Sequence, residues 1–198
     1  VPYWAFVTQL EVCLATHDHA QIPLSTLRQR YLNEWGLKHT SGSDERVWTL
    51  PTILLSHAAY RYDDTGLGFE MLSKLIQTLD HGSIGMFHEL IPEGLCFVQL
   101  WSAATFVRGL IEDLLGVDVH ADKHIVTLAP HLPDGWDSVE LDHLTFGTHT
   151  LNLQITRDKV VVHHLRGSSP LQINALALNG KAINNSLAPG QTLELQNM

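Results

Sequence analysis

Apolar residues recur at helical spacing through the first part of the chain and at strand spacing through the last part. Trp4, Phe6, Val7, Leu10, Val12, Cys13 and Leu14 predict a first helix that ends at the polar stretch 17–20. After Pro23, Ser25 is placed to cap a second helix running to Trp35, with Leu27, Tyr31 and Leu32 on one face and Gly36 as its stop. A polar loop at 38–46 separates this from a third helix, TLPTILLSHAAYRY, with Pro51 in its first turn. A fourth helix follows at 69–79, its apolar stripe made by Met71, Leu72, Leu75, Ile76 and Leu79. The stretch 97–115 is apolar almost all round, which predicts a helix buried on every side and the most buried of the five, stopped by Gly116.

Beyond Gly116 the period changes from 3.6 to 2. Candidate strands are 125–128, 139–144, 148–156, 159–165, 171–178 and 192–195; residues 117–124 read as a connector. Arg157-Asp158 and Asn179-Gly180 have the composition of hairpin turns. The expected fold class is therefore α then β. The expected domains are a helical segment at 1–117 and a small antiparallel β-sandwich at 118–198.

Composition narrows the function classes. The 198 residues are 44% hydrophobic and 17% charged, as in a globular protein, and no window has the apolar length of a membrane span. A net charge of -9 opposes nucleic acid as a partner and is indifferent to a neutral sugar. With only Cys13 and Cys96, both among apolar residues, a disulfide framework is not expected, which favours a reducing, cytoplasmic setting. The thirteen histidines lack zinc spacing, so neither a metal nor any other cofactor is expected; His17-x-His19 and His163-His164 bring no further ligands with them. The chain starts without methionine, which reads as a piece of a longer protein.

The chemistry concentrates at 81–102. Gly82, Gly85, Pro92 and Gly94 forbid a regular element, so Glu89 and Glu93 lie on a loop held against the 97–115 helix. A carboxylate on an anchored loop is a candidate catalytic group. At the helix start, Trp101 can stack on a sugar face or pack in the core, and Gln99 can hydrogen-bond hydroxyls. His88 can tune the neighbouring carboxylate or touch a substrate.

The order Gly85, Glu89-Leu90, then Gln99-Leu-Trp-Ser-Ala-Ala resembles the C-terminal part of the six-helical-hairpin toroidal glycosidases, of the amylo-alpha-1,6-glucosidase (glycogen debranching), trehalase and processing-glucosidase kind. Supporting features are Trp48-Thr-Leu-Pro51 at a helix start and the proline-rich segment from Leu128 to Pro133. Leu100 replaces the usual alanine, and Thr105 stands where an acidic residue is common. The resemblance implies a partial (α/α)6 toroid, an inverting hydrolysis of a glucoside-like oligosaccharide, and Glu89 as the general base. It also implies that Tyr3 and Trp4 line the substrate pocket. Five helices cannot close a toroid of twelve. The general acid and the N-terminal part of the barrel are then expected on other sequence of the same protein, and this chain alone is expected to show uncovered apolar surface. His39-Thr-Ser-Gly-Ser43 and His81-Gly-Ser83 resemble anion-holding segments of related sugar phosphorylases, which keeps phosphorolysis open. A non-catalytic carbohydrate-binding or interaction fragment is the alternative from another class. Against it, the β half has only Trp136 and Phe146 as large aromatics, few for a sugar-stacking platform.

Overall fold

A computed structural model describes residue 7 and residues 10–40, 42–81, 83–92, 94–176 and 181–196. Tyr3, Trp4, Glu93 and the turn Asn179-Gly180 lie outside the described residues. The chain forms two compact units, Val1–Leu110 and Ile111–Met198.

In the first unit, α1 spans His17–Arg30 and α2 Thr49–Arg61, with α3 at Thr65–Ile76 and α4 at Leu100–Arg108. The polar residues at 17–20 begin a helix rather than end one, and α1 runs through Pro23, where the sequence pattern predicted a break. Burial of Ala20, Leu24 and Leu27 on one face of α1 outweighs the local cost of the proline. Ser25 caps nothing; its hydroxyl donates to the Ile22 carbonyl at 2.9 Å. Pro51 does sit in the first turn of α2, where its missing N–H costs no helical bond. Helix α2 is the centre of this unit, with ten of its residues buried, from Thr49 and Pro51 through Tyr60. Helix α3 is capped by Asp64, whose carboxylate accepts from the Leu67 N–H at 3.1 Å, and it buries Leu67, Met71, Leu72 and Leu75 against α2. Gly68 is needed there because a Cβ would stand 2.5 Å from the Tyr60 ring.

The stretch 97–115 is not the most buried helix. It forms α4 and then a π-helical turn, Gly109–Leu114, so that one chain segment carries both the end of the first unit and the start of the second. Only Ser102 and Phe106 of α4 are buried, whereas Leu100 and Trp101 are 78% and 55% exposed and Phe97, Val98 and Val107 are exposed with them. An all-apolar helix announces that its whole circumference belongs in an interior. Among the described residues one side of it is exposed.

In the second unit the predicted connector is itself structured. Strand β3, Val117–His120, and a short 3₁₀ turn, Ala121–Lys123, lead into β4, Ile125–Leu128, and β3 and β4 pair antiparallel. Gly116 permits this hairpin: its φ is +61°, and a Cβ would lie 1.8 Å from the Ala129 carbonyl oxygen. The remaining strands are β5 Ser138–Phe146, β6 His149–Thr156, β7 Lys159–Arg166, β8 Leu171–Leu176, β9 Ala182–Leu187 and β10 Thr192–Gln196. They form two four-stranded sheets, β10-β7-β6-β5 and β3-β4-β8-β9. The first is antiparallel throughout, but β4 and β8 run parallel, so the sandwich is not wholly antiparallel as expected. Leu151, Leu153, Ile155, Val160 and Val162 from one sheet meet Val126, Leu128, Leu171 and Ile173 from the other in a single core.

Candidate functional site

Two short strands hold the loop that carries Glu89. Strand β1, Val47–Trp48, precedes α2, and β2, Leu90–Ile91, follows the glutamate; they pair antiparallel as Val47 with Ile91 and Trp48 with Leu90. The clamp continues into the first turn of α2. The Thr49 N–H donates to the Glu89 carbonyl at 3.0 Å, and the Thr49 hydroxyl donates to the His88 carbonyl at 2.5 Å. The loop is also tied to itself, since the Glu89 N–H donates to the Cys96 carbonyl at 2.9 Å and the Gln99 N–H to the Phe87 carbonyl at 2.8 Å. It folds back this tightly because residue 94 is glycine: a Cβ there would lie 2.6 Å from the Leu90 carbonyl oxygen.

The Glu89 backbone is thus anchored on both sides while its side chain is half-buried, and among the described residues no donor or cation meets its carboxylate. His88, beside it, is 5% exposed rather than solvated. Its Nε2 accepts from the Ser83 N–H at 3.3 Å, and its ring stands perpendicular to that of Phe97 with the ring centres 5.4 Å apart. With Nε2 accepting, the neutral ring carries its proton on Nδ1, which is buried and has no hydrogen-bond partner among the described residues. Gln99 occupies the position before α4 without a side-chain capping bond and is buried; the Ser102 hydroxyl donates to its Oε1, and among the described residues its NH₂ group has no acceptor. Trp101 is the exposed member of the set. The chain therefore brings Glu89, His88 and Gln99 onto one hydrogen-bonded loop at the head of α4, with Trp101 the second residue of that helix. Tyr3 and Trp4 fall outside the described residues.

Sequence reasoning singled out neither Thr49 nor the role of Gly94. The Trp48-Thr-Leu-Pro51 helix start was noticed, yet which loop its hydroxyl would hold is a property of the fold.

The loop at 38–46 has its charges neutralised internally. The guanidinium of Arg46 chelates Asp44 and holds its carboxyl well below the usual carboxylate range. His39 lies 3.4 Å from the same carboxylate, and Lys38 pairs with Glu45 at 3.2 Å. The two cysteines are unpaired; Cys13 is exposed, with the Arg61 guanidinium 3.9 Å from its Sγ, and so is not in the apolar setting expected for it. No helix among the described residues is long and apolar enough to cross a membrane.

Comparison with known proteins falls on both units. Residues 120–183 match the family profile described as "Glycosyl hydrolase family 65, C-terminal domain". No curated protein matches the sequence. Among solved structures, the fold is similar to that of a human-microbiome protein described as a kojibiose phosphorylase, with a TM-score of 0.59 at 14% identity. That superposition covers 98% of this chain and 24% of the other, so the chain spans about a quarter of the structure it matches. The second unit is thus a C-terminal β-sandwich of the kind found in a carbohydrate-active family, and the likeness extends in fold across the helical unit.

Proposed function

We propose that the chain is part of an inverting glycoside hydrolase acting on a glucoside-like oligosaccharide, with Glu89 as the general base. The observation that carries this reading is the combination at Glu89: a main chain clamped by Thr49 and Cys96, and a carboxylate that meets no donor or cation among the described residues. A general base needs that combination, because it has to be fixed in position yet hold nothing that competes for the proton it is to receive. Gln99 offers its NH₂ group to a sugar hydroxyl, Trp101 offers a face for stacking, and any substrate contact from His88 would come from its buried Nδ1. The uncovered apolar side of α4 is where the remainder of an (α/α)6 toroid would pack, bringing with it the general acid. The isolated chain is accordingly expected to associate or to bind an apolar dye such as ANS. An isolated chain that is monomeric and binds no ANS would count against missing barrel cover.

Phosphorolysis is the second reading, favoured by the likeness to a protein described as a phosphorylase. The internally paired 38–46 loop weighs against it, since Arg46 and His39 share the Asp44 carboxylate and Lys38 pairs with Glu45. Both readings are separated by assaying the complete enzyme on α-linked glucosyl disaccharides with and without inorganic phosphate. Hydrolysis without phosphate, with the inverted anomer of glucose seen first by proton NMR, supports the proposal. Turnover that requires phosphate and yields a sugar 1-phosphate replaces it with the second reading. Trp101→Ala should raise KM by up to roughly tenfold while leaving the melting temperature in place, since stacking is lost from an exposed position. An unaltered KM would remove Trp101 from the substrate site.

A further inference from the structure

The second unit contains three histidines in an unbroken hydrogen-bonded series. His164 Nδ1 lies 3.0 Å from the Leu187 carbonyl oxygen, His164 Nε2 lies 3.1 Å from His149 Nδ1, and His149 Nε2 lies 2.8 Å from His124 Nδ1. His149 and His164 are each 1% exposed, and His124 is exposed.

A carbonyl oxygen can only accept, and this sets the direction of the whole series. His164 must donate from Nδ1 to Leu187, so its neutral Nε2 accepts. His149 must then donate from Nδ1, and its own Nε2 accepts from the Nδ1–H of His124. All three rings carry their protons on Nδ1, which leaves the Nε2 of exposed His124 as the open end. A proton added at His149 Nε2 would face the His124 N–H, and one added at His164 Nε2 would face the His149 N–H. Either places two donors against each other in a buried site.

The series also crosses the sandwich. His149 on β6 and His164 on β7 belong to one sheet, whereas Leu187 ends β9 and His124 precedes β4 in the other. Gly167 makes room for it, since a Cβ there would stand 2.3 Å from His149 Nδ1 and 2.6 Å from His164 Nε2. The ionisable groups facing His149 are His164 from β7 and His124 from the turn before β4; the Phe146 ring packs on it from β5. Arg166, on β7, donates instead to the Thr150 hydroxyl at 3.0 Å, and Ser169 lies 3.5 Å from His124 Nδ1.

We propose that His124, His149 and His164 form a one-way relay that ties the two sheets together and opens when His149 takes up a proton in mildly acidic solution. Burial, and then the fields of His164 and His124, push His149 below the ordinary histidine value of 6.5. Between that lowered value and 6.5 the unfolded chain binds more protons than the folded one. The relay's contribution is therefore intact above 6.5 and is lost as pH falls from 6.5 toward the lowered value. The folded-to-unfolded ratio should fall by roughly tenfold per pH unit over that window.

The test uses the 198-residue chain labelled with ¹⁵N-histidine. At pH 7.5, long-range ¹H–¹⁵N spectra should place the proton of His149 and of His164 on Nδ1, and His149 should not titrate as a solvated histidine does. A urea series followed by the same ring signals should give a lower midpoint at pH 5.5 than at pH 7.5, and His149→Gln should lose most of that difference. Nε2–H forms, or a His149 titrating at the solvated value, would overturn the relay, and these are read on the unsubstituted chain even if the variant does not fold. An equal pH dependence in a folded His149→Gln would overturn its role as the acid-sensitive tie.

Discussion

In the complete enzyme, Glu89→Gln should leave substrate binding in place and lower turnover by about 10²–10⁴-fold, the usual worth of a positioned acid or base. Glutamine keeps the size and the half-buried setting of the side chain but has no basic oxygen able to take a proton from water. Since the main chain of Glu89 is held through its N–H and carbonyl, the substitution should not unfold the loop. The loss should therefore fall on kcat and spare KM, the pattern of an interaction made only in the transition state. Azide should restore part of the rate, because an anion that is already a nucleophile needs no base. Glu93→Gln should cost far less. The measurement is kcat and KM for both variants with circular dichroism as a control on folding. Full activity of Glu89→Gln together with loss in Glu93→Gln would move the role to Glu93; full activity of both would end the glycosidase reading of this loop.

How far the sequence reveals this arrangement differs between its parts. Strands β4 to β8 and β10 were legible because inward residues alternate: Leu151, Leu153 and Ile155 are buried on β6, and Val160 and Val162 on β7. The same parity contains the relay. His149 is in phase with Leu151, and His164 with Val162, so both point inward; reading the histidines only for metal spacing missed a signal that was present. Strand β9 escaped because its sequence, AINNSL, has three consecutive polar residues, Asn184, Asn185 and Ser186, and so reads as a loop. Strands β1 and β2 have two residues each, too few for any period to show. At the candidate site, the loop and its glutamate were visible from glycine and proline placement, but the hold exerted by Thr49 joins positions 39 residues apart and leaves no local pattern. The burial of 97–115 was misjudged for a different reason. An apolar helix states what surface it can bury, not whether the covering elements are present in the same chain.

That distinction sets the outcome of charge insertion in the helical unit. Leu55, on α2, is fully buried in a cluster with Leu24, Leu27, Leu37, Leu67 and Met71, contributed by α1, α3 and the loop between α1 and α2. Leu55→Asp removes a packed side chain and places a carboxylate where water cannot reach it. The charged form costs several kcal/mol, and the neutral form still lacks a partner and leaves a cavity. Against a typical domain stability of roughly 5–15 kcal/mol, the helical unit should lose its cooperative unfolding transition. Leu100→Asp puts the same carboxylate on α4 at a position 78% exposed, so in the isolated chain it should leave the melting temperature within about 2 °C of its original value. Leu110→Asp should fall between them, because Leu110 is half-buried in the π-helical turn. Thermal melts at 222 nm of the three variants check the order, since that wavelength reports mainly on helices. A Leu55→Asp chain that melts like the original would show that α2 is not the centre of the helical core. In the complete enzyme Leu100→Asp becomes the informative variant. If the remaining hairpins cover α4 there, the charge is buried and stability drops; if the drop is absent, that side of α4 is open in the whole protein too.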